Sequence, residues 1–296
     1  MGNYKRFGIF AAMTTPFRED GAIDMAKLVA HAQACMAAGC AGISTFGTTG
    51  EGASIGSTER RSVLEALRTA GIDGMRLVPG IAVSAIDDAV GHAKVAAEFG
   101  CRALLVTPPI FYKNVGAAEV TDWFAAVLER TPADGPSYIL YNIPQVTGVK
   151  VTRETIAALN GRFPGRILGV KDSSGDWANA LDMLQSFPDL AILIGDERVL
   201  DKGVKLGAAG AISGVANFRV DLLNDVMAGN PASPALAPLV EAIVAHPATP
   251  AVKALVGHLT GDDAWRRVRP PLRALSEAEA RELGRRYDEL FAKEAA

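Results

Sequence analysis

The chain has few of the residues on which metal and thiol chemistry depend, with only three cysteines and four histidines among 296 residues. Cys35, Cys40 and Cys101 fall at no CxxC or Cys/His spacing, and each lies among Ala and Gly in apolar surroundings. Neither a zinc site nor a disulfide framework is expected, and buried, reduced thiols in a cytoplasmic protein are. Charge of one sign is also lacking, since 30 Lys plus Arg stand against 33 Asp plus Glu for a net charge of −3. With no block of like charge, no nucleic-acid partner and no membrane surface are expected. No apolar stretch approaches the length needed to cross a bilayer, and residues 1–6 have no apolar run behind their two charges, so no secretory signal is expected. Gly2, followed by Tyr4, Lys5 and Arg6, does not meet the myristoylation pattern. There is no G-x-G-x-x-G after the first strand candidate and no P-loop. What remains, 49% apolar and 21% charged residues, is the composition of a globular chain able to bury a sizeable core.

Short apolar runs recur with helical segments between them. Strands are predicted at 7–13, 41–46, 77–83, 103–107, 138–144, 167–171, 190–194 and 210–215, most of them closed by Gly, Pro or a polar turn. Asp24 is predicted to cap the first helix, which stops near Gly39, and Ser57-Thr58-Glu59-Arg60 to open the second. Ser84 is predicted to cap a third that Gly100 closes, Gly116 to precede a fourth carrying Trp123 and Phe124, and Thr152 to cap a fifth. Strands joined by helical crossovers form parallel sheets, and eight such units in about 230 residues predict an α/β fold, a closed (β/α)8 barrel over residues 1–225, in preference to an open doubly wound sheet. After residue 225 the strands stop. Helices predicted at 234–245, 250–259 and 276–292 form a C-terminal helical region, 226–296, packed on the barrel. The last of them has Ser276 as cap, Glu277 and Glu279 in its first turn, and Leu283, Tyr287 and Phe291 on one stripe.

In such a barrel the carboxyl ends of the strands face one pocket, so the residues delivered there are the candidates for chemistry. The second strand delivers Thr48 and Thr49, and the fourth Tyr112 through its loop. The fifth delivers Tyr141, the sixth Lys171 and Ser173, the seventh Gly195, Asp196 and Glu197, and the eighth Ile212 and Ser213. The set is rich in hydroxyls, holds one amine and lacks histidine, because His31, His92, His246 and His258 all fall on predicted helices. No metal and no organic cofactor is expected. Two readings of Lys171 stand side by side. It is a strand-end lysine paired with a carboxylate such as Asp172, or an amine whose pKa is lowered by burial and which attacks a 2-oxo group to form a Schiff base. In the second reading Tyr141 shuttles protons through a threonine. Gly47-Thr48-Thr49-Gly50 then offers N–H groups and hydroxyls to the adjoining carboxylate, or is an ordinary turn with hydroxyl caps. Tyr112 beside Phe111 also reads as a packing aromatic. Gly52-Ala53-Ser54-Ile55-Gly56 matches the hydrolase elbow pattern, but Ser54 does not directly follow a strand and no strand-end histidine lies downstream.

Gly47-Thr48-Thr49-Gly50-Glu51, Tyr141-Asn142-Ile143-Pro144 and Gly169-Val170-Lys171-Asp172-Ser173-Ser174 together resemble the dihydrodipicolinate synthase / N-acetylneuraminate lyase family of class I Schiff-base lyases and synthases. The likeness runs from Phe7 to Arg269-Pro270-Pro271-Leu272. It implies a TIM barrel with a C-terminal helical region, a homotetramer, and a 2-oxo acid such as pyruvate bound covalently at Lys171. By the same resemblance Tyr141 is the proton shuttle, Thr48 and Thr49 are the hydroxyl relay and carboxylate site, and Tyr112 is the tyrosine that reaches into a neighbouring subunit. Where the synthases of the family carry an arginine two residues after the Tyr-Asn-x-Pro proline, this chain has Val146, which cannot grip a carboxylate. That favours the sugar-acid branch, in which Gly195-Asp196-Glu197 resembles the stretch contacting substrate hydroxyls. It counts against a 4-hydroxy-tetrahydrodipicolinate synthase, while dehydratases and deaminases of the family remain alternatives.

Overall fold

Strands that are apolar at consecutive positions must be covered on both faces, and a closed parallel barrel inside a ring of helices does this. The computed structural model describes residues 6–292. The predicted N-terminal features at residues 1–5 lie outside the described residues. In chain order the barrel comprises β1 (Gly8–Ala12), α1 (Met25–Ala37), β2 (Gly42–Ser44), α2 (Ser57–Thr69), β3 (Gly80–Ile81), α3 (Ile86–Glu98), β4 (Ala103–Val106) and α4 (Ala117–Glu129). It continues with β5 (Ser137–Asn142), α5 (Arg153–Arg162), β6 (Ile167–Asp172), α6 (Trp177–Ser186), β7 (Ala191–Ile194), α7 (Leu200–Lys205), β8 (Gly210–Ser213) and α8 (Val220–Met227).

The parallel strands lie in the order β2-β1-β8-β7-β6-β5-β4-β3. Backbone bonds close the ring: the Val78 N–H reaches the Ile43 carbonyl at 2.9 Å and the Gly80 N–H reaches that of Thr45 at 2.7 Å. Pro79 has no N–H to give, and β3 is only two residues long where 77–83 was predicted. Alternation sends Phe10, Leu105, Ile139, Tyr141 and Leu193 into the barrel. Ile9, Leu104, Leu140, Val170 and Ile192 face the helices, packing in one core with Leu28, Val63, Phe124 and Leu159.

Several caps are as the sequence predicts. The side chains of Asp24 and Thr152 accept from the N–H groups of Lys27 and Thr155, and Ser276 and Glu279 form a capping box. Helix α2 opens at Ser57 as predicted, with Gly56 at its N-cap position. One cap is not as predicted. Ser84 does not cap α3, whose N-cap is Ala85; its hydroxyl accepts instead from the N–H groups of Ile110 and Phe111 at 3.1 and 3.3 Å, pinning the loop that carries Tyr112. His246 is in the turn after the first C-terminal helix, not on a helix.

Helix α8 runs past residue 225 to Met227, and α9 (Leu236–Val244), α10 (Ala248–Thr260) and α11 (Glu277–Phe291) follow. Helix α10 is tied to the loop after β2. The Lys253 ammonium, fully buried, meets the Glu51 carboxylate at 2.5 Å, and the other Glu51 oxygen accepts from the Arg269 N–H at 2.8 Å. Burial pushes the Lys253 pKa down and attraction to Glu51 pulls it back, the net direction being downward. Removing one member of such a pair strands the other in a low-dielectric interior. We therefore expect Lys253→Met to destabilise the protein by about 3–5 kcal/mol in urea unfolding, with Glu51→Gln added to it recovering part of the loss. A single variant as stable as the wild type would contradict this account of the pair.

Candidate active site

β5 and β6 place Tyr141 and Lys171 side by side, as register partners that both point into the barrel. The Lys171 amine, 6% exposed, lies 3.3 Å from the Tyr141 hydroxyl. Asp172, one residue on, faces the other way: its carboxylate accepts from the Asn142 amide at 2.8 Å and from the Ser174 N–H at 3.2 Å. The strand-end pairing of Lys171 with Asp172 is therefore not what the fold adopts, and strand alternation is the reason. Beyond Tyr141, Thr48 Oγ1 lies 3.5 Å from the phenol oxygen. Burial by itself would raise the Tyr141 pKa, but the Lys171 charge, with hydrogen bonds from Thr48, Ser173 and Lys171, outweighs it and leaves the phenol below its ordinary value. An amine, a phenol and an outer hydroxyl in this sequence can pass protons between a buried reacting centre and the cavity mouth.

A cavity of about 240 Å3 opens over the amine, lined by Lys171, Tyr141, Thr48, Thr49, Ser173, Gly195, Asp196, Glu197 and Ile212. Predicted candidates from five strands thus meet in one place. Gly195 permits this closeness, because a Cβ there would lie 2.0 Å from the Ser173 hydroxyl. Ser213 joins through its hydroxyl, which donates to the Glu197 carboxylate. Tyr112 is not part of this assembly. It is 62% exposed and stacks edge-on against Phe111 at 5.5 Å. Val146 is also displaced from the amine and lines a second cavity of about 320 Å3, which shares Thr48, Tyr141 and Ile143 with the first. Ser54 lies in a single 3-10 turn, and neither cavity is lined by a histidine, so the hydrolase pattern has no partner here.

Glu197 and Asp196 are adjacent carboxylates in different states. Desolvation raises the Glu197 pKa, opposed by the Ser213 hydrogen bond and aided by the Asp196 charge. Asp196 is held below the usual range because, despite the upward push of burial, Arg198 donates to both its oxygens, at 2.9 and 2.7 Å. A carboxyl whose pKa is raised on folding stabilises the fold in its protonated form. That contribution is complete below the ordinary glutamate value of about 4.3 and is lost as pH rises through the folded-state value. Melting curves of wild type and Glu197→Gln, compared from about pH 4 upward, are expected to show the wild type losing stability relative to the variant as pH rises. A constant difference would mean that Glu197 is not strained by burial.

Sequence reasoning missed the groups that hold the Thr48 loop. Arg60, read as part of a helix opening, is 4% exposed, and its guanidinium donates to the carbonyls of Gly52, Gly80 and Ile55 at 2.6, 2.7 and 3.1 Å. Burial lowers its pKa to about 10. Gly52 is required beneath it, since a Cβ there would lie 1.8 Å from the Phe46 carbonyl. From α10, the Thr249 hydroxyl donates to the Thr48 carbonyl at 3.0 Å. The cavity over Lys171 also takes part of its wall from Val240, Ile243 and Val244 of α9 and from Ala248 and Val252 of α10. No local pattern in those helices signals such a role.

The family model described as the dihydrodipicolinate synthetase family matches residues 5–289. The chain belongs to that family. It is accordingly a class I lyase working through a lysine Schiff base, as the members of the family are. Its fold superposes with a TM-score of 0.94 on the crystal structure of dihydrodipicolinate synthase from Agrobacterium tumefaciens, 43% identical, covering 97% of this chain and 100% of that one. It is 33% identical over 296 residues to an uncharacterised DapA-like lyase of Chloroflexus aurantiacus, covering 96% of this chain and 97% of the relative. It is 34% identical over 293 residues to 4-hydroxy-tetrahydrodipicolinate synthase 1 of Streptomyces coelicolor, covering 95% and 93%. Among the described residues, no helix is long and apolar enough to cross a membrane, and no group of three or more His, Cys, Asp and Glu could hold a metal ion. Cys35, Cys40 and Cys101 are buried free thiols.

Proposed function

We propose that this protein is an aldolase or lyase of hydroxylated 2-oxo acids, of the 2-keto-3-deoxy sugar-acid type, with Lys171 as the amine that forms the imine. The observation that carries this reading is the 3.3 Å contact between the Lys171 amine and the Tyr141 hydroxyl in a cavity that Glu197 and Asp196 also line. Lys171 attacks the ketone carbon. Tyr141 then protonates the carbinolamine hydroxyl, which leaves as water to give the imine, and Thr48 relays protons to and from the phenol. The substrate carboxylate lies against Thr48 and Thr49, with Ser173, Gly195 and Ile212 framing the three-carbon end. Hydroxyls farther along the chain meet Glu197, Asp196 and Ser213. Neither metal nor organic cofactor takes part, since the imine itself serves as the electron sink when the carbon–carbon bond breaks.

The names of relatives favour a second reading, a 4-hydroxy-tetrahydrodipicolinate synthase. Val146 weighs against it, because a valine cannot hold the carboxylate of a second substrate. Exposed Phe111 and Tyr112 fit a homotetramer in which Tyr112 enters a neighbour's site, and the buried free thiols fit the cytoplasm. The C-terminal helical region is read as packed on the barrel, with α9 and α10 walling the cavity.

A panel of 2-keto-3-deoxy acids, N-acetylneuraminate, cyclic imino acids, and aspartate semialdehyde with pyruvate separates these readings. Pyruvate release from a 2-keto-3-deoxy acid, with a kcat/KM well above every other member of the panel, is the expected result. Preferential condensation of pyruvate with aspartate semialdehyde would overturn it in favour of the synthase.

A further inference from the structure

The turn that carries Thr48 lies between two backbone positions that most side chains avoid. Among the described residues, the non-glycine residues with positive φ are Phe46, at 58°, and Glu51, at 56°, and they flank Gly47-Thr48-Thr49-Gly50 on either side. A residue with a Cβ keeps this left-handed conformation only where its surroundings hold it there. Glu51 is held by its carboxylate, which meets the Lys253 ammonium of α10 and the Arg269 N–H. Thr249 stands one turn before Lys253 on the same helix and is 6% exposed. Its hydroxyl donates to the Thr48 carbonyl at 3.0 Å, and that carbonyl also accepts from the Glu51 N–H at 3.1 Å. Positions four apart share one face of a helix, so α10 takes hold of the turn at two points.

Thr48 itself is exposed, so its side chain is not fixed by burial and its place depends on the backbone beneath it. Its hydroxyl lies 3.5 Å from the Tyr141 oxygen, at the outer limit of a hydrogen bond, where a small backbone shift breaks the link. We propose that Thr249 is a positioning residue for the reaction: by fixing the Thr48 carbonyl it keeps the Thr48 hydroxyl within reach of Tyr141. Thr249 does not line the Lys171 cavity, and so it acts through the turn. This inference rests on the reading of Thr48 as the proton relay of the imine chemistry.

The test needs pyruvate alone. Once Lys171 holds it as the imine, loss of a methyl proton gives the enamine, and return of a deuteron from D2O leaves a labelled methyl group whose build-up NMR follows. The rate at saturating pyruvate is measured for the full chain, below the melting temperature of every variant. Thr249→Val is expected to lower it roughly tenfold, the scale on which a small misplacement of a reacting group acts. Thr249→Ser, which keeps the hydroxyl, is expected to stay within about twofold of the wild type. In a Thr48→Val background, already slowed, Thr249→Val is expected to cost less than about twofold more, because no Thr48 hydroxyl is left to position. A purely structural role would lower the rate equally in both backgrounds.

The proposal is overturned by a wild-type rate in Thr249→Val, by a loss in Thr249→Ser as large as in Thr249→Val, or by equal losses in the two backgrounds. A wild-type rate in Thr48→Val would instead remove the relay reading, and absence of exchange in the wild type would remove the imine reading. The inference would fall with either.

Discussion

Lys171→Ala is expected to lower turnover by roughly 10^4-fold or more, the scale on which removing a covalent nucleophile acts. The physical reason is that, among the described residues, no other amine lines the cavity. Lys253, the other buried lysine described above, is held by Glu51 and does not line it. The barrel is expected to stay folded, because Lys171 is not the partner of Asp172 and its loss strands no carboxylate. Asp172 keeps Asn142 and Ser174. Pyruvate release measured beside a thermal melt separates the two effects. Substantial turnover in a folded Lys171→Ala protein would take Lys171 out of the mechanism.

Tyr141→Phe is expected to cost about 10^2–10^4-fold in kcat, the usual range for a positioned general acid-base group. The ring remains, so the inner core keeps its packing, and only the hydroxyl between Lys171 and Thr48 is lost. Losing its two long hydrogen bonds changes stability by about 1–2 kcal/mol, less than the kinetic effect. The phenol's pKa is already held below its ordinary value by the Lys171 charge, so the wild-type group gives up its proton more readily than free tyrosine does. Near-normal kcat in the variant would mean that another group, for example the Thr48 hydroxyl with water, moves the proton.

Much of this was legible in the sequence because its signals are local. Most β strands show as a short apolar run ended by a turn, and strand alternation sets Lys171 and Asp172 on opposite faces, while the fold decides that Lys171 is the one facing inward. The barrel's closure was less legible. Pro79 reads as one residue within a seven-residue strand, yet its missing N–H leaves β3 with two residues, and the ring is closed by bonds from Val78 and Gly80 to β2 and the residue after it. Ser84 shows how one residue type can serve two ends. A serine before a helix is a good cap, but here its hydroxyl is taken by the loop of Ile110 and Phe111.

The least legible parts are contacts between residues far apart in the chain. Glu51 and Lys253, 202 positions apart, form a fully buried pair that neither local sequence foretells. The sequence puts helices in the C-terminal region but gives no sign that Val240, Ile243 and Val244 of α9 and Val252 of α10 wall the cavity. For Tyr112 the sequence offers two readings, packing aromatic or inter-subunit tyrosine. In the single chain it does neither job fully, being exposed and touching Phe111.

The central claim is a covalent one, and covalency can be read by mass. The protein is incubated with pyruvate, reduced with borohydride, and examined by intact mass and then by peptide mapping. The account predicts one pyruvate-derived adduct per chain, located on Lys171. An unmodified mass, or an adduct located on a different lysine, would contradict it.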